Sequence, residues 1–225
     1  GMRLAAKIYD PVYFNHRDYD CDPFRYLDLL YNQETAAYRH LHARGLGAWI
    51  PQYYGSYEMD IEHPGIGTRQ VRLILMEYIE GVSLELRDPA DFDVITQKRV
   101  MELIVKAESQ FYAVDLRYED LCMRNVIVHG LVGFDPNCQP RITFIDFSNA
   151  IISRTDSRKK GWTKACFLLP GVYISPILRW YRGYIPKKHD FTQWCVWNWN
   201  HWLCETFADD FEHITPEMVK WVPDD

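Results

Sequence analysis

An Asp, an Asn five positions later and an Asp that closes a downstream apolar strand constrain this chain more than any other pattern in it. Asp120 and Asn125 lie in the stretch 118–128, Tyr-Glu-Asp-Leu-Cys-Met-Arg-Asn-Val-Ile-Val, and Asp146 follows Ile-Thr-Phe-Ile at 142–145. Phosphoryl transfer needs one carboxylate facing the incoming hydroxyl and oxygen ligands that hold Mg²⁺ on the phosphates. The pattern predicts the first role for Asp120 and the metal roles for Asn125 and Asp146. The alternative is a simple turn that Asp120 starts and Asn125 caps.

The two apolar stretches beside these residues predict a strand pair. The segments 126–128 and 142–145 are short runs rich in β-branched and aromatic residues, separated by the stretch 130–140. When paired, these strands present Asn125 and Asp146 at adjoining ends. A shared cation would require that geometry.

These segments resemble landmarks of the protein kinase-like superfamily. The stretch 118–128 resembles the catalytic loop of protein kinases and aminoglycoside phosphotransferases, and 142–147 resembles the strand and metal-binding Asp that follow it. Upstream, Lys7 in Ala-Ala-Lys-Ile resembles the Lys that contacts nucleotide phosphates, and Glu34 stands in the helical stretch where its partner would be. The run 71–78 resembles the strand and hinge that receive adenine. The landmarks follow one another in the family's order.

The resemblance covers roughly residues 4–150 and implies an α+β, two-lobed fold with ATP and magnesium as cofactors. It implies a shortened N-terminal lobe over 1–80, made of a sheet plus one helix. A reduced, mainly helical C-terminal lobe over 81–225 would complete one compact unit. The implied site roles are catalytic for Asp120, Lys7 and Glu34, nucleotide-binding for Lys7, Glu77 and Tyr78, and metal-binding for Asn125 and Asp146.

Two local departures from the family pattern fall inside the resembling segments. Tyr118 and Glu119 stand where the family has His-Arg, and Ser148 follows Asp146-Phe147 where the family has Gly. The first change removes a His that braces the loop. The second removes the backbone freedom that lets the following segment swing.

The length and start of the chain resemble a truncated member of the family. With Met2 taken as the native start and Gly1 as a cloning remnant, the Gly-rich hairpin before the Lys strand is not encoded. About 80 residues follow Asp146, fewer than a lobe that docks peptide substrates normally uses. We therefore expect a small-molecule acceptor rather than a protein. The whole pattern also resembles the short kinase-like proteins of fungi.

Hydrophobic periodicity and turn residues predict the main elements. The pattern predicts helices over 23–44, 94–113 and 191–207, and strands over 49–57 and 71–79 joined by a hairpin excursion. Glu34 lies on the first helix, beside apolar neighbours. The sequence leaves two interpretations of Glu34 equally open: a solvated side chain that pairs with a residue one helical turn away, or a partner for Lys7.

Composition sets the broad class. The chain has 225 residues, 48% hydrophobic and 25% charged, which is ordinary for a globular protein with one core. Six Cys without a Cys-x-x-Cys pair argue against a zinc ribbon and favour reduced thiols in the cytoplasm. No apolar run approaches the length of a membrane span. A net charge of −6 argues against a generally basic nucleic-acid surface.

A basic run after Asp146 keeps other functions open. A solvated face is the usual interpretation of such a run, but it could instead bind tRNA or another phosphate-bearing partner. The run consists of Arg154, Arg158, Lys159, Lys160 and Lys164. The alternatives to a phosphotransferase are therefore a kinase-like scaffold repurposed for secondary metabolism, such as aminoacyl-tRNA-dependent peptide or cyclodipeptide formation, and a pseudokinase interaction module.

Overall fold

The computed structural model describes residues 1, 3–15, 21–65, 67–130, 139–152, 172–181 and 189–219. Over these residues the chain is α+β, as the sequence predicts, with antiparallel sheets and helices packed around them. None of the helices in this part of the chain combines the length and the apolar character that crossing a membrane requires.

The first sheet carries the site from one side. Its strands are β1 (Leu4–Tyr9), β2 (Tyr53–His63) and β3 (Gly67–Glu77), in the order β1-β3-β2 and all antiparallel. The predicted hairpin is confirmed, because β2 and β3 pair from His63↔Gly67 onward. The predicted start of β2 at residue 49 is wrong: 47–49 form a 3₁₀ turn, and Pro51 has no N–H for a strand ladder.

Helix α1 (Pro23–Ala43) packs one face against this sheet and confirms the first predicted helix. It begins where the Asp22 carboxylate accepts hydrogen bonds from two backbone N–H groups, with Pro23 at the first position. It ends before Gly45, whose φ of +76° suits a residue without a side chain. The buried face consists of Tyr31, Glu34, Thr35, Ala37, Tyr38 and Leu41.

Helix α2 (Val94–Ala113) has the bounds that the sequence predicts. The Asp93 side chain accepts a hydrogen bond from the Thr96 N–H at 2.6 Å and caps its N-terminus. After α2 the chain turns into β5 (Leu116–Tyr118), which pairs antiparallel with β8 (Ala150–Ile152). This pair places Tyr118 and the segment before Ala150 side by side.

A second small sheet confirms the predicted strand pair. It consists of β4 (Val82–Ser83), β6 (Val126–His129) and β7 (Arg141–Phe144) in the order β4-β6-β7. The register Val126↔Phe144 puts Asn125 and Ile145 at the same end. The Ile145 N–H donates to the Asn125 carbonyl at 3.0 Å, so the backbones before Asp146 and at Asn125 are in direct contact.

The C-terminal part is formed by short helices: α3 (Pro176–Arg179), α4 (Trp199–Thr206) and α5 (Pro216–Val219). The predicted single helix over 191–207 is therefore wrong. A 3₁₀ helix, His189–Trp194, comes first, and α4 starts afresh where the Asn198 side chain accepts from the His201 N–H. The Asn198 cap starts a new helix, although the spacing of the Trp residues suits one continuous helix.

Candidate active site

Lys7 joins three distant parts of the chain. Its Nζ donates to Glu34 Oε2 at 2.6 Å and to Asp146 Oδ1 at 2.7 Å, across 27 and 139 positions of sequence. Glu34 is fully buried, with 0% of its side chain exposed. This burial excludes the solvated interpretation of Glu34 and leaves the pairing with Lys7.

Glu34 is satisfied by three donors, two from β1 and one from the segment after β7. Besides Lys7, the hydroxyl of Tyr9 donates to Oε2, and the backbone N–H of Phe147 donates to Oε1 at 3.3 Å. A buried carboxylate is costly unless such donors surround it. Burial and the Glu34 charge raise the pKa of Tyr9 far above its ordinary value, so its hydroxyl keeps its proton.

Lys7 stays charged in this setting. Burial disfavours the ammonium, but the carboxylates of Glu34 and Asp146 outweigh it, and the pKa of Lys7 lies above its ordinary value. The ammonium is also 5.5 Å from the centre of the Tyr9 ring, within cation–π range. A fixed positive charge within β1 is the result.

Asp146 sits in a strained backbone conformation, with φ of +61°. Its Oδ1 accepts from Lys7 and from the Ser148 hydroxyl, the latter at 2.6 Å. Burial alone would raise the pKa of Asp146, but the Lys7 ammonium and the Ser148 hydrogen bonds outweigh it and lower that pKa below its ordinary value. Ser148 thus holds the Asp146 carboxylate in place.

Tyr118 provides a brace that the sequence did not predict. Its hydroxyl donates to the Ile145 carbonyl, and its ring stacks on Phe147 at 4.6 Å between centres and 24° between planes. Tyr118, at the position where the resemblance places a His, thus contacts the segment that leads to Asp146. The signal in the sequence was weak: an aromatic residue ending a three-residue strand.

Asp120 is held by its own loop. Arg124 Nη2 donates to both carboxylate oxygens, at 2.7 and 2.8 Å, and Asn125 Nδ2 donates to Oδ2 at 3.1 Å. The Asn125 amide also donates to the Asp120 carbonyl at 3.0 Å, which is the local contact that the simple turn interpretation predicts. Sequence reasoning missed Arg124, whose i,i+4 spacing from Asp120 was the available signal.

Asn125 and Asp146, whose backbone segments are in contact, each have a side-chain oxygen that could bind a cation. Both Asn125 bonds use Nδ2 and those of Asp146 to Lys7 and Ser148 use Oδ1, so a cation would use Asn125 Oδ1 and Asp146 Oδ2. Carboxylate and amide oxygens suit Mg²⁺, which retains water and phosphate ligands. Within the described residues, no group of three His, Cys, Asp or Glu side chains could hold a metal ion by itself. Asn125 and Asp146 could therefore hold a cation only together with water or phosphate oxygens.

The two residues predicted to meet adenine lie apart from this cluster. Glu77 ends β3 opposite Leu4, three residues before Lys7, which corresponds to about 10 Å along the strand. The Glu77 N–H donates to the Gln52 carbonyl at 2.9 Å, and the Tyr78 N–H donates to the Arg3 carbonyl at 3.4 Å. The Tyr78 side chain is about half exposed, at 47%. Both N–H groups already have protein partners.

The site therefore brings together Lys7, Glu34 and Asp146 directly, and Asp120 with Asn125 beside them. The predicted basic partner surface, Arg154, Arg158, Lys159, Lys160 and Lys164, lies outside the described residues. Comparison with known proteins adds nothing to this geometry, because no protein-family model and no curated protein matches the chain.

Proposed function

We propose that this chain is a kinase-like phosphotransferase that moves a phosphoryl group from MgATP to a hydroxyl of a small molecule. One observation supports it above all: Lys7 Nζ bridges Glu34 and Asp146 at 2.6 and 2.7 Å. A buried carboxylate that fixes an ammonium beside a second, partly exposed carboxylate is an arrangement suited to phosphate and Mg²⁺. Asp146 retains 36% side-chain exposure, which gives ligands access.

Each residue has a defined part in this proposal. Lys7, oriented by Glu34, neutralises phosphate charge, and Asn125 with Asp146 holds Mg²⁺. Asp120, fixed by Arg124, orients the acceptor hydroxyl and accepts its proton as the new P–O bond forms. At the same time the bond between the γ-phosphorus and the β-phosphate oxygen breaks, and ADP leaves. MgATP supplies the phosphoryl group and the charge neutralisation. The proposal includes a two-lobed arrangement, with the first sheet and α1 on one side of Lys7 and the Asp120 and Asp146 segments on the other.

A thermal-shift series tests nucleotide binding. MgATP at about 100 times its dissociation constant should stabilise the native state by about 2.7 kcal/mol, which is about 5–10 °C for a chain of this size. Mg²⁺ alone should give a smaller shift. Lys7→Met and Asp146→Asn should abolish the MgATP shift, whereas Asp60→Asn, an exposed Asp on β2, should retain it. An unchanged melting temperature for the wild type at saturating MgATP would exclude the proposal.

A turnover assay tests the chemistry. ADP release from MgATP should rise when a panel of hydroxyl-bearing small molecules is added, and Asp120→Asn should remove that rise. Loss of a group that orients the nucleophile typically costs about 10²–10⁴-fold in rate. Nucleotide binding should persist in Asp120→Asn, because in this proposal Asp120 serves the acceptor hydroxyl, whereas Lys7 and Asp146 serve MgATP.

One observation favours a second candidate, a non-catalytic interaction module of the same fold. The charged groups of the site already have protein partners: Lys7 has two carboxylate partners, and both carboxylate oxygens of Asp120 accept from Arg124 Nη2. Such a network also stabilises the packing of α1 on the Asp146 segment. A wild-type chain that shows neither a MgATP shift nor ADP release would favour this candidate. The tRNA-dependent alternative rests on residues outside those described.

A further inference from the structure

Strand β1 leaves one edge of the first sheet open. Among the described residues β1 pairs only with β3, so its other side ends the sheet. Leu4 and Ile8 are 40% and 50% exposed, and Ala6 between them is exposed as well. None of the described segments therefore covers this edge. An open edge is a template on which another strand can pair.

The backbone groups on the open side follow from the pairing with β3. The Tyr78 N–H donates to the Arg3 carbonyl at 3.4 Å, so these two residues form a hydrogen-bonded pair. The next pair, Leu4 opposite Glu77, is then one that does not exchange hydrogen bonds, because the two kinds of pair alternate along antiparallel strands. The N–H and C=O groups that point away from β3 belong to Leu4, Ala6 and Ile8.

The β1 edge lacks the features that normally keep sheet edges apart. It has no Pro and no irregularity of register, and Lys7, its one charged side chain, turns toward Glu34 on α1. The opposite edge strand, β2, has a register shift near its start and carries three carboxylates, Glu58, Asp60 and Glu62. Charges and bulges hinder pairing between sheets. Association is therefore favoured at β1 and hindered at β2.

The open edge is complementary to itself. When two copies of β1 run antiparallel with Ala6 on the two-fold axis, Leu4 of each copy lies opposite the partner's Ile8. All the outward backbone groups then meet, with two hydrogen bonds in each pair. Every other two-fold register leaves at least one of the three residues without a partner within β1. The small Ala6 side chains meet at the axis, and an apolar pair flanks them on each side.

We propose that this chain forms a two-fold dimer in which the β1 edges of two copies pair antiparallel, so that the two three-stranded sheets become one continuous sheet. The contacts of Lys7 and Tyr9 with Glu34 lie on the α1 side of the sheet and are retained. One short strand from each copy makes an interface below the standard size, so we expect a dissociation constant in the micromolar range. The dimer does not depend on phosphotransferase activity.

Sedimentation velocity of the full chain without nucleotide tests the dimer. Wild-type protein should change from monomer to dimer over a concentration range of about 1–200 µM. Ala6→Pro removes an N–H group that β3 does not use, so the variant should fold, because an edge strand tolerates Pro at such a position. Its association should be at least about tenfold weaker, since the hydrogen bonds at the axis are lost.

A charge exchange tests the register. Ala6→Lys and Ala6→Glu each bring two like charges together at the axis, so either variant alone should associate at least about tenfold more weakly than the wild type. An equimolar mixture of the two variants pairs opposite charges and should form a mixed dimer within about threefold of the wild-type affinity. Gln70→Lys is the matched control, at an exposed position of β3 outside the pairing with β1, and should leave association unchanged.

Three results would overturn the proposal. One is a wild-type chain that stays monomeric up to about 200 µM. Another is a dimer that keeps its affinity in Ala6→Pro and in both charged variants, because its interface would lie elsewhere. The third is a pair of charged variants that remain monomeric when mixed. If Ala6→Pro fails to fold, the charge exchange decides. Neither measurement uses MgATP, so failure of the dimer and failure of the phosphotransferase are separate results.

Discussion

At the scale of single residues, Glu34 explains why the site holds together. A carboxylate with no exposed surface is tolerated only when charge and hydrogen bonds replace water. Lys7, Tyr9 and the Phe147 N–H provide that replacement from β1 and from the segment after β7. Removing one donor should therefore cost more than an average surface hydrogen bond.

Tyr9→Phe tests this residue. The ring is 95% buried and retained, so the change removes only the hydroxyl that donates to the Glu34 carboxylate. Hydrogen bonds to charged groups contribute about 1.5–3 kcal/mol, and we expect a loss of that size in the free energy of unfolding measured with urea. Tyr13→Phe, at an exposed Tyr, is the matched control and should change stability by less than about 0.5 kcal/mol. Equal stability of both variants would mean that Glu34 does not depend on Tyr9.

Asp146→Asn gives a pH-dependent prediction. The pKa of Asp146 is lowered from its ordinary 3.8 in the folded state, so its ionised form stabilises the fold above that value. This contribution disappears as the pH falls through the lowered folded pKa. Asn tolerates a positive φ, so the substitution isolates the charge from the backbone. The stability difference between wild type and Asp146→Asn should be constant from about pH 5 to 8 and shrink below about pH 4.

Urea unfolding across that pH range measures the difference. Asp60→Asn, at an exposed position on β2, controls for general acid destabilisation. A difference that grows on acidification would have the wrong sign, and it would show that Asp146 is not stabilised by Lys7 in the folded state.

At the scale of elements, β4 depends on a close backbone approach at Gly81. A Cβ at this position would lie 2.5 Å from Ile127 Cγ2 and 2.9 Å from the Val128 carbonyl oxygen. Both atoms belong to β6, the strand that follows Asn125. The glycine therefore lets the chain cross from the first sheet to the second at van der Waals distance.

Gly81→Ala should destabilise the protein by about 1–3 kcal/mol, because the neighbouring strand must move to admit a methyl group. Ile127→Ala removes one of the two clashing atoms, so the double variant should lose less than the sum of the single changes. Urea unfolding of the four proteins in this cycle gives the coupling energy. Strictly additive losses would show that Gly81 does not contact β6 closely.

Elements with local signals were predictable from the sequence. Asp22 and Asp93 cap helices whose apolar spacing continues to Ala43 and Ala113, and local caps with periodicity determine such bounds. The Trp-rich C-terminal segment was not predictable, because its pattern suits one helix while Asn198 starts a new one. Here a cap and tertiary packing override periodicity.

The residues of the candidate site also fall into those with a local signal in the sequence and those without one. Asp120 and Asn125 were predictable because their contact spans five residues, and Asp146 because it closes a strand. Lys7 and Glu34 were found only through the resemblance to kinase-like proteins. Tyr9 and Tyr118 were not found, since their partners lie 25 and 27 residues away and nothing local marks a buried hydroxyl.

At the scale of the whole molecule, α1 links the first sheet to the rest of the chain. On the sheet side, Thr35 bonds Ser56 at 2.7 Å between hydroxyls. On the other side, the Tyr38 ring meets Phe147 edge to face at 5.3 Å, and the His40 ring bonds the Val114 carbonyl at 2.5 Å. Because one helix carries both sets of contacts, neither side can lose α1 without exposing buried surface.

The protein should therefore unfold in a single cooperative transition, although its sheets are separate. Seven of its eight Trp residues lie after residue 160, so Trp fluorescence of a Trp49→Phe variant reports on the C-terminal part alone. Hydrogen exchange of peptides from β2 and β3 reports on the first sheet. Both measurements should give the same unfolding free energy in the wild type. Phe147→Ala removes the ring that meets Tyr38, so the two unfolding free energies should differ in this variant, with the lower value for the first sheet. Different free energies in the wild type would show that α1 does not couple the two parts.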